Sequence, residues 1–166
     1  KYIKQINTGR GIAVFKAINL ANANYTILMD SDDYFLDKSF DKIINILDEK
    51  RFYCYVFTTI NKNKKIIVPD NITTNFIELR ADYKVKGDLK EIVDTNILKK
   101  TINSIDIKFR RFPTLLIWAS IAENYKCFTI NTPVVFKNYL PEGLTKNIFF
   151  NKIKYSLPMV ELYNLL

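Results

Sequence analysis

The chain has 166 residues with 25 Lys plus Arg against 17 Asp plus Glu, two cysteines and no histidine, for a formal charge of +8. With 48% hydrophobic and 14% aromatic residues, it has the apolar surface for one cored domain rather than a disordered tail. The missing histidine excludes Ser-His-Asp and Cys-His nucleophile activation, HExxH zinc sites and Cys2His2 fingers, and the distant Cys54 and Cys127 suggest neither a disulfide framework nor a thiolate metal site.

Residues 12–24 (Ile12, Val14, Phe15, Ile18, Leu20) read as a helix preceded by Gly9 and Gly11. Tyr25-Thr26-Ile27-Leu28-Met29 is a continuous apolar run, expected as a strand buried on both faces, and it stops at Asp30-Ser31-Asp32-Asp33. Phe40, Ile43, Ile44 and Leu47 follow the i, i+3, i+4, i+7 rule of an amphipathic helix, with Asp37 or Ser39 as N-cap. Tyr53 to Ile60 reads as a strand, Asn61-Lys62-Asn63 as a turn, and Ile66-Ile67-Val68 as the hairpin partner. Over 71–87 the pattern is weak and predicts an ordered loop with a short strand at Phe76–Leu79. Asp88-Leu89-Lys90-Glu91 has capping-box spacing and predicts a helix carrying Ile92, Val93 and Leu98.

A helix over about 114–125 is apolar nearly all round, so it should be buried, Trp118 included. Cys127–Ile130 and Val134–Tyr139 read as two strands around Asn131-Thr132-Pro133. Pro141-Glu142-Gly143 reads as a loop, and a last helix carries Ile148, Phe149, Ile153 and Leu157 up to Pro158. The alternation of strands and helices predicts an α/β fold with a mixed sheet flanked by helices.

A charge of +8 favours polyanionic partners, yet the lysines are spread along the chain with no concentrated stripe, so nucleic acid is not expected. No apolar run approaches the ~18 residues of a membrane span, and no signal peptide is visible. A reducing cytoplasmic setting is the expectation. The basic, aromatic C-terminal stretch (Phe149, Phe150, Lys152, Lys154, Tyr155) offers peripheral contact with an anionic membrane or a plain solvent face.

The acid run is the strongest chemical feature. If extended geometry persists past Met29, Asp30 and Asp32 project to the same side. Two such carboxylates call for a positive partner, and a hard divalent cation carrying phosphate oxygens satisfies both. The competing reading is a solvated acidic turn, with Asp33 or Asp37 capping the next helix.

Four stretches in order resemble bacterial family 2 glycosyltransferases of the GT-A fold. They are Asn7-Thr8-Gly9-Arg10-Gly11-Ile12-Ala13 followed by the strand ending in Asp30-Ser31-Asp32-Asp33; Lys86 to Lys99; Pro113 to Trp118 with Ala122 and Tyr125-Lys126; and Tyr139 to Asn147. The resemblance implies a partial GT-A fold in one domain, with residues 1–60 carrying the DxD part of the nucleotide-sugar unit and 61–166 the acceptor side. It implies inverting transfer from a nucleotide-diphosphate donor, a UDP-sugar foremost, to a saccharide or lipid-linked acceptor, serving cell-surface polysaccharide biosynthesis. Asn7, Gly9, Arg10, Gly11, Asp30 and Ser31 would bind the nucleotide sugar, and Asp30 and Asp32 would take Mg2+ or Mn2+.

Two departures stand out. In the family, about half of the nucleotide-binding unit precedes the N-x-G-x-G stretch, and here only a few residues do; an uncovered sheet edge would then favour a homodimer. The family's acid in P-E-x-x-I-W is Thr114 here, and a neutral hydroxyl does not take a proton at neutral pH as a carboxylate does. Arg110 and Arg111 lie just upstream, where relatives are often acidic. Asp88 is the alternative base, with helix capping as its competing role. A non-catalytic binding module is the alternative to an active enzyme.

Overall fold

In a computed structural model, which describes residues 2–49, 52–62, 64–105 and 113–138, one mixed sheet carries helices on both faces. In chain order the elements are α1 (Arg10–Leu20), β1 (Tyr25–Ile27), β2 (Tyr34–Phe35), α2 (Ser39–Glu49), β3 (Cys54–Ile60), β4 (Thr73–Thr74), α3 (Phe76–Ala81), β5 (Lys90–Asp94), α4 (Thr95–Ser104), α5 (Leu115–Ala122) and β6 (Cys127–Phe136). Among these the strand order is β1-β5-β3-β6-β2, with β4 also on β6; β3 and β6 run parallel and the other pairs antiparallel.

β3 is the spine, because its apolar run satisfies both faces at once. Cys54 and Val56 point into one core layer with α1, α3, α4 and α5, while Tyr55 and Phe57 point into the other with Ile43 of α2. Phe57 is wholly buried, which is worth about 2 kcal/mol. Leu116, Ile117, Trp118, Ala119 and Ile121 of α5 are buried, as the all-round apolar pattern requires.

Several expectations are corrected. The helix from Asp88 is instead strand β5 followed by α4: Lys90–Val93 gains ladder partners from β1 and β3, and Asp94 makes the cap, accepting from the N–H groups of Asn96 (2.9 Å) and Ile97 (3.1 Å). The short strand at Phe76–Leu79 is helix α3, opened by an Asn75–Glu78 capping box. The two strands around Asn131-Thr132-Pro133 are one strand: its register to β3 jumps from Phe57↔Ile130 to Thr58↔Pro133, a bulge that tolerates the missing proline N–H. The hairpin partner at Ile66–Val68 shrinks to a single bridge, Ile60↔Lys65.

The other departures are smaller. α1 starts at Arg10, placing Gly11 inside its first turn, and ends at Leu20. β1 is half-buried rather than buried on both faces, since β5 is its one partner among the described strands. Ser39 is the buried first residue of α2 and donates its N–H to Leu36, while Phe40 and Ile44 are exposed. The expected elements at 139–166, Glu142 and the C-terminal helix included, and the pair Arg110 and Arg111, lie outside the described residues.

Candidate active site

Strand alternation ends with β1 at Ile27, and three residues later the chain turns: the N–H of Asp33 donates to the carbonyl of Asp30 at 3.2 Å. Asp30 and Asp32 therefore do not leave the same side of an extended strand. The acids brought together are Asp30 and Asp33, the first and fourth residues of the turn.

What joins them is Lys137, whose Nζ lies 2.6 Å from Asp33 Oδ2 and 3.1 Å from Asp30 Oδ2. The register explains why. β2 pairs with β6 through Tyr34↔Phe136, so the residue after Phe136 falls beside the residue before Tyr34. On the other side, Ile27↔Ile92 carries Lys90 to the level of the chain leaving β1. Lys90 Nζ donates to the Leu28 carbonyl at 3.0 Å and lies 3.8 Å from Asp33 Oδ2. Arg10 completes the cluster, with Nη2 donating to Asp30 Oδ1 at 2.6 Å.

Burial sets the strength of these contacts. The side chains of Asp33, Lys90 and Lys137 are 2%, 6% and 10% exposed, against 37% for Asp30 and 43% for Arg10. Burial alone raises the Asp30 pKa, but the hydrogen bonds and charges of Arg10 and Lys137 outweigh it and hold the carboxyl below its usual range. Burial opposes the Lys137 charge, yet the hydrogen bonds it donates to Asp33 and Asp30 hold the ammonium well above the ordinary lysine range. Lys90 is pushed down, first by burial and then by the like charge of Lys137.

The glycine stretch lies at the N-terminus of α1. Gly9 has φ 100°, a conformation that favours glycine, and its N–H donates to Asn7 Oδ1 at 3.2 Å. The first turn of α1 holds no acidic residue and Gly9 gives no side-chain cap, so the positive end of the helix dipole there is not offset by a carboxylate of its own turn. Ser31 is exposed at the tip of the acid turn. Asp32 is half-buried and makes no ion pair or side-chain hydrogen bond among the described residues.

Asp88 is not a helix cap. It lies in the loop before β5, 54% exposed, with its carboxylate 3.9 Å from Lys137 Nζ and its carbonyl accepting from Thr59 Oγ1. Thr114 stands at the N-terminus of α5 without a side-chain cap bond, and Trp118 belongs to the core.

A magnesium- or manganese-sized cation carrying a diphosphate needs one or two protein carboxylates and takes its remaining ligands from phosphate and water. Asp32 fits that demand. Asp30 has both oxygens engaged by cations, and no three carboxylate or thiol groups among the described residues converge on one point. Lys90 and Lys137 escape the sequence reading, because each looks like another surface lysine; their one signal is a lone cation abutting an apolar strand run, Ile92-Val93 or Val134-Val135-Phe136.

A mixed sheet flanked by helices, with an acid turn beyond a strand end near the glycine-led start of a helix, has the architecture of part of a GT-A domain. The Glycosyl transferase family 2 profile matches residues 1–105, and the chain belongs to that family. Among solved structures, it is similar to S. aureus TarS 1-349 with a TM-score of 0.65 and 16% identity, covering 98% of this chain and 47% of that one. The likeness to the same protein in complex with UDP-GlcNAc has a TM-score of 0.67 and 16% identity over 99% and 50% of the two chains. For the UDP complex the values are 0.62 and 17% over 84% and 43%. That likeness is one of fold: the chain has the architecture of part of a GT-A domain and spans about half the length of those structures. No curated protein sequence matches significantly. No helix among the described residues is long and apolar enough to cross a membrane.

Proposed function

We propose that the chain forms the diphosphate-binding and acceptor-side part of a transferase that moves a sugar from a nucleotide-diphosphate donor to a saccharide or lipid-linked acceptor, with inversion, on the cytoplasmic side. The observation that carries this reading is the Arg10–Asp30 pair, which ties the N-terminus of α1 to the acid turn so that helix N–H groups, guanidinium and carboxylates share one edge. The UDP and UDP-GlcNAc held by the TarS structures support a UDP-sugar as the donor.

In this scheme an acceptor hydroxyl oxygen bonds to the anomeric carbon as the bond from that carbon to the diphosphate breaks. The electron pair leaves on the diphosphate, and the hydroxyl proton passes to a base. The α1 N–H groups and Arg10 stabilise the charge that grows on the leaving group. Gly9 and Gly11 let the backbone approach phosphate, Asn7 holds the loop, and Asp30 and Ser31 face the donor ribose. Asp32 would hold Mg2+ or Mn2+, which supplies Lewis-acid stabilisation when bound. Asp88, ionisable and open to solvent beside Lys137, is the proton acceptor among the described residues; Thr114 does not serve.

Thr114 favours a second reading, a nucleotide-sugar-binding module without turnover. Calorimetry of the full-length protein with UDP-GlcNAc and Mn2+ tests the first: Asp32→Ala should lose the manganese-dependent part of the affinity while unfolding at the same midpoint. Equal affinity in both proteins overturns it. Tight binding with neither transfer nor donor hydrolysis selects the module.

A further inference from the structure

We propose that Lys137 is the built-in counter-cation of the acid turn: its ammonium occupies the space between Asp30 and Asp33 that a metal bridging them would need, so that a divalent ion is left to Asp32. This rests on reading the turn as the donor site, though its test needs no nucleotide.

The contacts favour an ammonium as resident. Lys137 Nζ is 2.6 Å from Asp33, 3.1 Å from Asp30 and 3.9 Å from Asp88, and it is only 10% exposed. The β2–β6 ladder brings its backbone beside Asp33, and the two short contacts hold the side chain there. The second oxygen of Asp30 belongs to Arg10, and Lys90 backs Asp33 from within the sheet. Arg10 and Lys137 thus pair with Asp30, Lys90 and Lys137 with Asp33, and Lys137 approaches Asp88, while Asp32 has no ion pair among the described residues. A divalent ion at roughly 2.1 Å from Asp30 or Asp33 would stand within about 4 Å of the ammonium, where repulsion in a shielded site amounts to several kT. Lys137 is accordingly a positioning residue: it holds the turn closed and directs a metal to Asp32.

The test is electron paramagnetic resonance titration of the full-length protein with Mn2+ alone. Asp30→Asn should weaken manganese binding by no more than about tenfold, the effect of losing one nearby negative charge, because Asp30 is not a ligand there. Lys137→Gln should raise affinity at least about tenfold by vacating the space between the acids, and adding Asp30→Asn to it should remove the gain. Lys137→Arg, which keeps the charge, should behave as wild type, a pattern that loss of structure alone does not produce. Loss of manganese binding in the Asp30→Asn single variant overturns the proposal, as does a folded Lys137→Gln protein that binds no better than wild type. If Lys137→Gln does not fold, the Asp30→Asn arm decides. Failure of the donor reading shows separately, as absence of UDP binding in every variant.

Discussion

Glu91 stands opposite Val56 where β5 pairs with β3, so a carboxyl group faces the core layer that Cys54, Val56 and Val93 share. It lines a small cavity with Cys54, Phe76, Trp118 and Cys127. Burial pushes its pKa from 4.5 to about 7, against the opposing pull of its own backbone N–H and the charges of Lys90 and Arg80. The folded chain therefore holds this proton more tightly than the unfolded one. Stability is full below the unfolded value, falls as pH rises towards about 7, and is level beyond that. Glu91→Gln should match the wild type near the acid end and exceed it at alkaline pH by about 3 kcal/mol. Urea unfolding at the two pH values checks this, and a difference that ignores pH counts against it.

Arg10 and Asp30 are each more than a third exposed, so their ion pair adds little to folding. Arg10→Ala should change stability by less than about 1 kcal/mol. UDP affinity should fall roughly tenfold to a hundredfold, the value of a hydrogen bond to a charged group. Isothermal titration of the two proteins gives the comparison.

Asp33 and Asp32 are neighbours with opposite expected consequences. Asp33→Ala removes the shortest contact of the Lys137 ammonium and the carboxylate beside Lys90, both little exposed, and should cost about 3–5 kcal/mol. Asp32→Ala removes a carboxylate without an ion pair among the described residues, and its stability should stay within about 0.5 kcal/mol of wild type. Guanidinium midpoints should separate the two; similar losses would mean that the turn is held by something other than Lys137.

Gly87 has φ 100°, and a Cβ added there would lie 2.5 Å from Ile66 Cδ1, a buried side chain. Arg80 Nη1 also donates to the Gly87 carbonyl at 2.8 Å, which limits how far the loop can shift. Gly87→Ala should destabilise by about 1–3 kcal/mol through backbone strain and the clash together. Thermal unfolding checks it, and combining Gly87→Ala with Ile66→Ala should cost less than the two single losses added together, the difference being the steric part.

The elements legible in advance are those whose pattern is local and long: α2 by its heptad-like spacing, α5 by its unbroken apolar surface, and β3 by its aromatic and β-branched run. α3 was legible too, through Asn75 and Glu78, but the weak hydrophobic pattern around them hid it. β5 was misread because Asp88-x-x-Glu91 imitates a cap, while the true cap, Asp94, follows a strand whose ladders come from β1 and β3. Asn131-Thr132-Pro133 looks like a turn by composition and is a bulge by pairing.

By itself, the order of residues determined the family, the glycine-led start of α1 and the placing of an acid run just beyond β1, since each is a matter of neighbours along the chain. Only the tertiary structure decided that Asp33 rather than Asp32 joins Asp30, and that the cation between them is Lys137, 104 residues further on. A turn's hydrogen bond and the register of the β2–β6 ladder made that choice, and neither is a property of any one segment alone.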